Sequence, residues 1–391
     1  MKHKKFPSWP YYAEDELSAV NNVLTSGRVN YWTGEECVLF ECEFAEYLGA
    51  RNAISLTNGT AALELALYAC GVQTGDEVIV TCRSFIASVS SIVLRGAIPV
   101  FVDVDRNSQN IDPVLIESAI TSKTKAILAV HLAGWSCEMD DIMNIANKNN
   151  LVVIEDCAQA HGGEYKGKKL GSFGDVSAFS FCQDKIMSTG GEGGMLVTSN
   201  DDIWRKAWSY KDHGKDYDAA NQKTEGGGFR WVHDSFGTNL RMTEMQAAIG
   251  RRQLLKLEDW VDIRQRNADV LTKILGFLPA IRLGEPPNYI RHANYKYYVF
   301  VKPEKLLDDW DRDRIISVLR ENDIASFVGS SSEMYREKAF LDVGIGPKGS
   351  LKVAHELGEN SIMFPIHPTL TETDMKYIAE VIKTVILEAS K

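Results

Sequence analysis

The sequence lacks the features of a secreted, disulfide-bonded or membrane-spanning protein. Its seven cysteines are an odd number at scattered positions and no C-x-x-C pair occurs, which indicates reduced thiols rather than disulfides or a zinc site. No run approaches the roughly 20 apolar residues of a membrane span. No apolar run of signal-peptide length follows the basic first residues. We therefore expect a soluble cytoplasmic protein that holds no metal.

Positive charge is also in the minority. The chain has 43 Lys and Arg against 53 Asp and Glu, a formal net charge of -10. This balance argues against a binder of nucleic acid or of anionic membranes, so an anionic ligand must be held by local donors. No G-x-G-x-x-G opens a helix after the first predicted strand, which argues against a dinucleotide-binding dehydrogenase.

Short apolar, β-branched runs alternate with amphipathic segments through the first half of the 391 residues. The predicted strands cover residues 52–56, 77–81, 98–104, 125–131, 151–155, 176–182 and 195–198. Such alternation is typical of βαβ units, so we predict an α/β fold with a mostly parallel sheet covered by helices on both faces.

The second half of the chain changes character. Residues 211–235 are polar and glycine-rich and predict a long loop. Residues from about 240 to 275 predict one long helix that joins two domains. We predict a large domain over residues 1–275, with helices at its amino-terminal end, and a smaller α+β domain over residues 276–391.

Two of the predicted strands end beside residues that suit a ligand site, because parallel sheets bind ligands beyond the carboxyl ends of their strands. Phe85 lies just past the second strand, although an aromatic there is often part of the core. Asp156 directly follows the strand at 151–155, and Gln159 comes three residues later. A helix cap or a solvated loop acid remains the structural alternative for Asp156.

A third candidate site is the turn between the first strand and its helix. Gly59 and Thr60 stand where unpaired backbone N–H groups and the helix dipole favour an anion such as a phosphate. A plain helix cap by Asn58 or Thr60 is the alternative.

Lys185 stands between two β-prone runs, with a glycine-rich turn after it. A lysine fixed between strands, beside a backbone able to take unusual dihedrals, suits a covalently held cofactor. Pyridoxal phosphate (PLP) is the obvious candidate, because it needs a lysine Schiff base and an acidic partner for its ring nitrogen. The alternative is a solvated turn lysine.

Five blocks of the sequence, taken in order, resemble the sugar-nucleotide aminotransferases of the DegT–StrS family. The blocks are residues 58–63 (NGTAAL), 155–162 (EDCAQAHG), 179–194 (FSFCQDKIMSTGGEGG), 237–248 (GTNLRMTEMQAA) and 364–368 (FPIHP). The resemblance implies a PLP enzyme of the aspartate aminotransferase fold (type I), with a seven-stranded sheet in the large domain.

The resemblance also implies roles around the cofactor. Lys185 would carry PLP and move a proton between the substrate and cofactor carbons, and Asp156 would pair with the ring nitrogen. Phe85 would stack on the ring, and Gln159 would lie near the ring face or its O3 oxygen. The phosphate would be held by Gly59, Thr60 and Ser180.

The substrate side follows from the same resemblance. The amino donor would be L-glutamate and the acceptor a keto sugar of a nucleoside diphosphate, for amino sugars of cell-surface polysaccharide such as the O-antigen of lipopolysaccharide. Asn239 would reach the cofactor of a neighbouring subunit, which requires a homodimer, and Arg230 would contact the sugar nucleotide.

The T-x-G-E-G-G turn favours amination at C4. The alternatives are C3 amination, another PLP chemistry such as that of a cysteine desulfurase or an amino-acid aminotransferase, and a non-catalytic homologue.

The sequence departs from the family pattern just before the lysine, where Cys182-Gln183-Asp184 replaces the commoner small or polar residues. If Asp184 faces the amine of Lys185, it stabilises the charged form of that amine. The lysine itself is retained, which disfavours the dehydratase relatives, because these carry histidine at that position.

Overall fold

A computed structural model describes residues 5–222 and 230–391 of the chain. The first four residues, which are part of the basic start of the chain, and the glycine-rich part of the predicted loop, 223–229, lie outside the described residues. None of the described helices combines the length and the apolar character that a membrane crossing requires.

The described chain contains α-helices α1 to α14 and strands β1 to β13. The helices are α1 Glu14–Ser26, α2 Glu36–Leu48, α3 Gly59–Ala69, α4 Ala87–Leu94, α5 Pro113–Ala119, α6 Met139–Asn149, α7 Asp201–Lys211, α8 Tyr217–Asn221, α9 Glu244–Leu254, α10 Leu257–Leu275, α11 Arg312–Glu321, α12 Lys338–Leu341, α13 Lys352–Asn360 and α14 Glu372–Ala389. The strands are β1 Asn52–Leu56, β2 Glu77–Thr81, β3 Ile98–Val102, β4 Thr124–Val130, β5 Val152–Asp156, β6 Glu164–Tyr165, β7 Lys168–Lys169, β8 Val176–Ser180, β9 Gly194–Thr198, β10 Ile281–Leu283, β11 Ile290–Arg291, β12 Tyr297–Val301 and β13 Ser361–Phe364.

The large sheet has seven strands in the order β1-β9-β8-β5-β4-β2-β3. Neighbouring strands from β8 to β3 are parallel, and only β9 is reversed, so that it pairs antiparallel with both β1 and β8. The predicted α/β fold with a mostly parallel seven-stranded sheet is therefore confirmed.

Helices cover both faces of this sheet, so its strands are apolar on both sides. Along β2, Val78 and Val80 belong to the apolar core on one face, and Ile79 belongs to the core on the other. Because successive side chains of a strand point to opposite faces, this alternation divides the large sheet between two cores.

A second, antiparallel sheet, β10-β12-β13, forms the centre of the carboxyl-terminal part of the chain. Its core includes residues of α10, α11 and α14. Helix α10 joins the two parts: Leu257 and Val261 pack in the large-sheet core, whereas Leu271 and Leu275 pack in the second core. The domain boundary after residue 275 stays a prediction.

The predicted single helix over residues 240–275 is wrong, because two helices occupy this stretch. Thr243 starts α9 with a capping box, in which its hydroxyl accepts a hydrogen bond from the Gln246 backbone. The helix ends at Leu254, and α10 begins at Leu257. The break lets α9 pack beside α1 and α2 while α10 continues to the second core.

Two predicted strands are shorter than expected, and several short strands were missed. The strand predicted over 98–104 ends at Val102, and the strand predicted over 176–182 ends at Ser180, so Lys185 lies in the loop after β8. The missed strands are β6, β7, β10, β11 and β13, each of two to four residues. Runs this short carry too little alternation to separate them from loops.

Candidate active site

Asp156 ends β5 at the carboxyl edge of the large sheet and is almost fully buried. Its Oδ2 accepts a hydrogen bond of 2.7 Å from the Ser88 hydroxyl, and its Oδ1 accepts one of 3.1 Å from the Ala158 backbone N–H. Burial raises the pKa of Asp156, and the Ser88 and Ala158 hydrogen bonds and the charge of Lys185 partly offset this rise. Lys185 follows β8, the parallel neighbour of β5, so Asp156 and Lys185 lie at the same edge of the sheet.

Lys185 lies in the loop after β8 with its side chain only 16% exposed. Its Nζ is 3.5 Å from the Tyr295 hydroxyl and 3.6 Å from Asp184 Oδ1. Its backbone carbonyl accepts a 2.8 Å hydrogen bond from the indole of Trp9. The amine is thus held between an acid and a phenol, and the loop that carries it is fixed from the amino-terminal segment. These contacts are against the alternative of a solvated turn lysine.

The turn before α3 touches the end of β8. Asn58 caps α3 by accepting a 2.8 Å hydrogen bond from the Ala61 N–H, so the predicted cap is present. A Cβ added at Gly59 would lie 2.6 Å from the Ser180 Cβ, so only glycine allows this approach. The structure thereby brings Gly59, Thr60 and Ser180 to one place, where the first N–H groups of α3 have no intrahelical partner.

Phe85 and Gln159 frame the same edge of the sheet. Phe85 is 65% exposed, which excludes the alternative of a core aromatic. It follows Ser84, whose hydroxyl is 2.8 Å from that of Ser88, the partner of Asp156. Gln159 is buried, and its Oε1 accepts a 2.7 Å hydrogen bond from the Ala133 N–H in the 3₁₀ turn after β4. An open aromatic face therefore stands near a buried acid.

Two predicted site residues have their contacts elsewhere. Asn239 is exposed, and its Oδ1 accepts a 3.3 Å hydrogen bond from the Arg241 N–H. The guanidinium of Arg230 donates hydrogen bonds to the backbone carbonyls of Ala219 and Gln222 at the end of α8. These contacts lie within their own segment of the chain and do not bring either residue to Lys185.

Three residues of the site were missed from the sequence: Ser88, Tyr295 and Lys296. Ser88 lies in an apolar helical run, where one serine among several carries no signal. Lys296 is the only charged residue in the aromatic and aliphatic run 295–301. A lone lysine in an otherwise apolar run is a usable signal, because a buried charge needs a partner.

An acid and a histidine beside the site form a separate, saturated cluster. His131, Glu155 and Cys157 have ligand atoms within 4.8 Å of one another. Glu155 accepts hydrogen bonds from the backbone N–H groups of residues 171, 173 and 174 and from His131 Nε2 at 3.0 Å. His131 Nδ1 accepts the Cys137 N–H at 3.0 Å. Because these atoms of Glu155 and His131 are already engaged, the two residues serve the fold.

A cavity of about 120 Å³ lies against Lys296 and is lined by residues that follow β4 and by residues of β12. Asn107, Trp135, His292 and Tyr298 are among the residues that line it. The lining includes Lys296 and Ala133 but neither Asp156 nor Lys185, so we do not assign the cofactor to this cavity.

The residues at the carboxyl edge fit PLP. A glycine cradle with free N–H groups and a hydroxyl suits the phosphate, the exposed ring of Phe85 suits stacking, and buried Asp156 suits a pyridine nitrogen. Burial raises the pKa of Asp156, and its two hydrogen-bond donors, Ser88 and the Ala158 N–H, are both neutral. A cationic partner would relieve the cost of burying its charge.

Comparison with known proteins gives one family over nearly the whole chain. The model of the DegT/DnrJ/EryC1/StrS aminotransferase family matches residues 10–383. The GDP-perosamine synthase of Escherichia coli O157:H7 is 35% identical over 371 residues, which cover 95% of each chain. The dTDP-3-amino-3,6-dideoxy-alpha-D-galactopyranose transaminase of Aneurinibacillus thermoaerophilus is 34% identical over 373 residues, again 95% of each chain. Among solved structures, the aminotransferase from Psychrobacter cryohalolentis is 50% identical with a TM-score of 0.96, covering 98% of this chain and 100% of that one.

Proposed function

Because the chain belongs to the DegT/DnrJ/EryC1/StrS aminotransferase family and is a PLP-dependent sugar aminotransferase, we propose that its amino donor is L-glutamate and its acceptor a keto sugar of a nucleoside diphosphate. The observation that supports the proposal is that buried Asp156 ends β5 and Lys185 follows β8, the neighbouring parallel strand, so both lie at the carboxyl edge of the large sheet. The product would be an amino sugar for cell-surface polysaccharide.

The residues at this edge of the sheet would have separate roles in the reaction. PLP supplies an electron sink that makes the bond from the reacting carbon to hydrogen breakable. The amine of Lys185 would take that proton and return it. Asp156 would keep the ring nitrogen protonated, and Phe85 would stack on the ring. The N–H groups of Gly59 and Thr60 and the hydroxyl of Ser180 would hold the phosphate.

We propose a homodimer with shared active sites. The segment that carries Asn239 also presents Trp231 and Phe236, whose side chains are 87% and 96% exposed. Large apolar side chains at such exposure are typical of a surface that another chain covers. Asn239 of the partner subunit would then complete the cofactor site, and Arg230 would meet the negatively charged diphosphate of the sugar nucleotide.

The position of amination is proposed as C4 on the form of the glycine turn, Thr189-Gly190-Gly191-Glu192-Gly193-Gly194. C3 amination is the second candidate, because a relative named for a 3-amino sugar is about as similar to the chain as the GDP-perosamine synthase. We place the reaction in the cytoplasm, in keeping with seven unpaired cysteines.

The test is to incubate the purified holoenzyme with L-glutamate and a panel of 4-keto and 3-keto sugar nucleotides, and to read the products by mass spectrometry. We expect amination of a 4-keto sugar nucleotide and formation of 2-oxoglutarate. Lys185→Ala should lose both this activity and the visible absorbance of bound PLP. Amination of 3-keto sugars alone would favour C3, and no amination of any sugar nucleotide would contradict the substrate class.

A further inference from the structure

The amine of Lys185 has two neighbours that the family resemblance does not assign to it. Asp184 Oδ1 lies 3.6 Å from Lys185 Nζ, and the Tyr295 hydroxyl lies 3.5 Å from it. The Tyr295 hydroxyl also donates a hydrogen bond to Asp184 Oδ2. The Nζ of Lys296 is 3.5 Å from the same Oδ2. Both oxygens of Asp184 are therefore engaged, one by Lys185 and the other by Tyr295 and Lys296.

Tyr295 is fixed by its backbone as well as by its hydroxyl. Its N–H donates a 2.9 Å hydrogen bond to the Ala133 carbonyl, and its own carbonyl accepts one of 3.2 Å from Arg264. The side chain is buried. Burial raises the pKa of Tyr295 well above its usual value, and the negative charge of Asp184 raises it further. The phenol therefore stays protonated and acts as a donor toward Asp184.

Asp184 is the anion of the group. Burial alone would raise its pKa, but the charge of Lys185, the Tyr295 hydrogen bond and the charge of Lys296 outweigh burial and lower it. Asp184 is therefore a carboxylate at neutral pH, although its backbone position is in a loop beside the site. Its distance from the amine places a full negative charge next to the reacting nitrogen.

The other charged or titratable groups near the amine do not replace Asp184. Burial holds the pKa of His161 at about 3, so this imidazole is neutral. Asp156 is held at the end of β5 by hydrogen bonds from Ser88 and Ala158. Arg264 is buried and adds positive charge near Tyr295. Asp184 is thus the acid in direct contact with Lys185.

We propose that Asp184 and Tyr295 are positioning residues for Lys185: they hold the amine of the lysine in place when it is not joined to the cofactor, and Asp184 stabilises positive charge on that nitrogen. This inference rests on the proposed role of Lys185 as the cofactor lysine. Tyr295 acts by holding the carboxylate of Asp184, and Asp184 acts through Lys185.

The test is a pH titration of the visible absorbance band of the holoenzyme. In Asp184→Asn, the nitrogen that bears positive charge loses a nearby anion, so the pH midpoint of the band should move to lower pH by about 1 unit. Asp184→Glu keeps the charge and should restore most of the midpoint. The matched control is Asp262→Asn on α10, which removes a carboxylate 2.7 Å from Arg291 and should leave the midpoint unchanged.

Tyr295→Phe tests the second residue in steady state. Loss of the hydroxyl frees Asp184 without removing it, so kcat should fall about tenfold while KM for L-glutamate changes less than about twofold, because the loss falls on the reacting geometry rather than on binding. An unchanged kcat would remove Tyr295 from the proposal. If Asp184→Asn yields no folded holoenzyme, Tyr295→Phe still tests whether this pair of residues positions Lys185.

The outcomes separate this inference from the proposed function. If Lys185→Ala keeps the visible band, Lys185 is not the cofactor lysine and the proposed site is wrong. If Lys185→Ala loses the band but Asp184→Asn leaves its midpoint in place, the site stands and the role of Asp184 is wrong. A shift of equal size in Asp262→Asn would also contradict it, because the effect would then be one of overall charge.

Discussion

Glu155 and Asp156 are neighbours on β5, yet their carboxylates meet different surroundings on opposite faces of the sheet. Glu155 accepts three backbone N–H groups and the imidazole of His131. Burial raises its pKa, but these donors outweigh burial and leave the pKa lowered. Within the described part of the chain, Asp156 accepts hydrogen bonds from Ser88 and one backbone N–H, so burial prevails and its pKa is raised.

The difference separates a structural acid from an acid prepared for a ligand. Glu155 ties the loop 171–174 to the strand, and nothing further is needed to stabilise its charge. Asp156 keeps part of its burial cost uncompensated in the free chain. An acid whose pKa is raised in the folded chain destabilises the folded state as the pH rises through that pKa. A cationic ligand beside the carboxylate reverses the sign of this contribution to stability. We therefore expect the uncompensated carboxylate, Asp156, to be the one that gains from binding PLP.

The largest expected effect comes from removing the acid on the ligand side. Asp156→Ala should lower kcat by about a thousandfold, because the ring nitrogen loses the charge that keeps it protonated. The urea-unfolding midpoint of the cofactor-free chain should be nearly unchanged or higher. Steady-state assays and denaturation of the same preparation measure both. If Asp156→Ala destabilised the fold but kept its turnover when folded, Asp156 would be a structural acid and the comparison with Glu155 would be wrong.

The next largest effect should be on the stability of the fold rather than on turnover. Glu155→Gln should lower the free energy of unfolding by about 3 kcal/mol, because an amide cannot accept from all the donors that converge on this buried site. Turnover per folded molecule should change little. Urea denaturation with activity corrected for the folded fraction gives both values. A loss of kcat as large as that of Asp156→Ala would show that the two acids do not differ in role.

A smaller effect is expected from the hydroxyl that supports Asp156. Ser88→Ala removes the 2.7 Å hydrogen bond to Oδ2 and should lower kcat about tenfold, the equivalent of about 1.4 kcal/mol. Ser91→Ala in the same helix is the matched control, because the Ser91 hydroxyl is buried and its one hydrogen bond among the described residues goes to the Ser88 carbonyl at 3.4 Å. Equal losses in the two variants would assign the effect to packing of α4.

A carboxylate near the surface should give the smallest effect. Glu258 accepts hydrogen bonds from Tyr47, Lys169 and Arg291, which outweigh burial and lower its pKa to about 2. Its stabilising contribution is present above the ordinary pKa of 4.5 and is lost as pH falls toward about 2. Glu258→Gln should cost about 1 kcal/mol or less, since exposed pairs are screened by solvent.

The measurement for Glu258 is the difference in urea midpoint between the parent and Glu258→Gln as the pH is lowered. The two proteins should converge as the pH falls through the window between the ordinary pKa and the lowered one. A difference that stays constant with pH would show that Glu258 acts through packing and not through its charge.

Sequence patterns predicted what depends on local order along the chain. The alternation of strands and helices predicted the parallel sheet, and the strand-end rule predicted Asp156 as a ligand residue. The turn at Gly59 and the lysine between two strands were also visible. These features are set by residues close together in sequence, where periodicity and turn chemistry are informative.

The rest depends on distant segments that meet only in the folded chain. Tyr295 and Lys296 reach Asp184 across more than a hundred residues, and Ser88 reaches Asp156 across 68. No local pattern predicts such pairs. The break between α9 and α10 arises because the two helices serve different cores. Asn239 and Arg230 remain proposals, because their expected partners belong to a second chain or to the substrate.

The contact between Trp9 and the Lys185 carbonyl gives this protein a built-in optical reporter. Trp9 also lies edge-on to Trp260, with ring centroids 5.1 Å apart, so two of the eight tryptophans are found together beside the lysine loop. A chromophore attached to Lys185 would quench the fluorescence of this pair by energy transfer. Loading and release of the cofactor could then be followed in real time from ultraviolet emission alone, without labelling the chain.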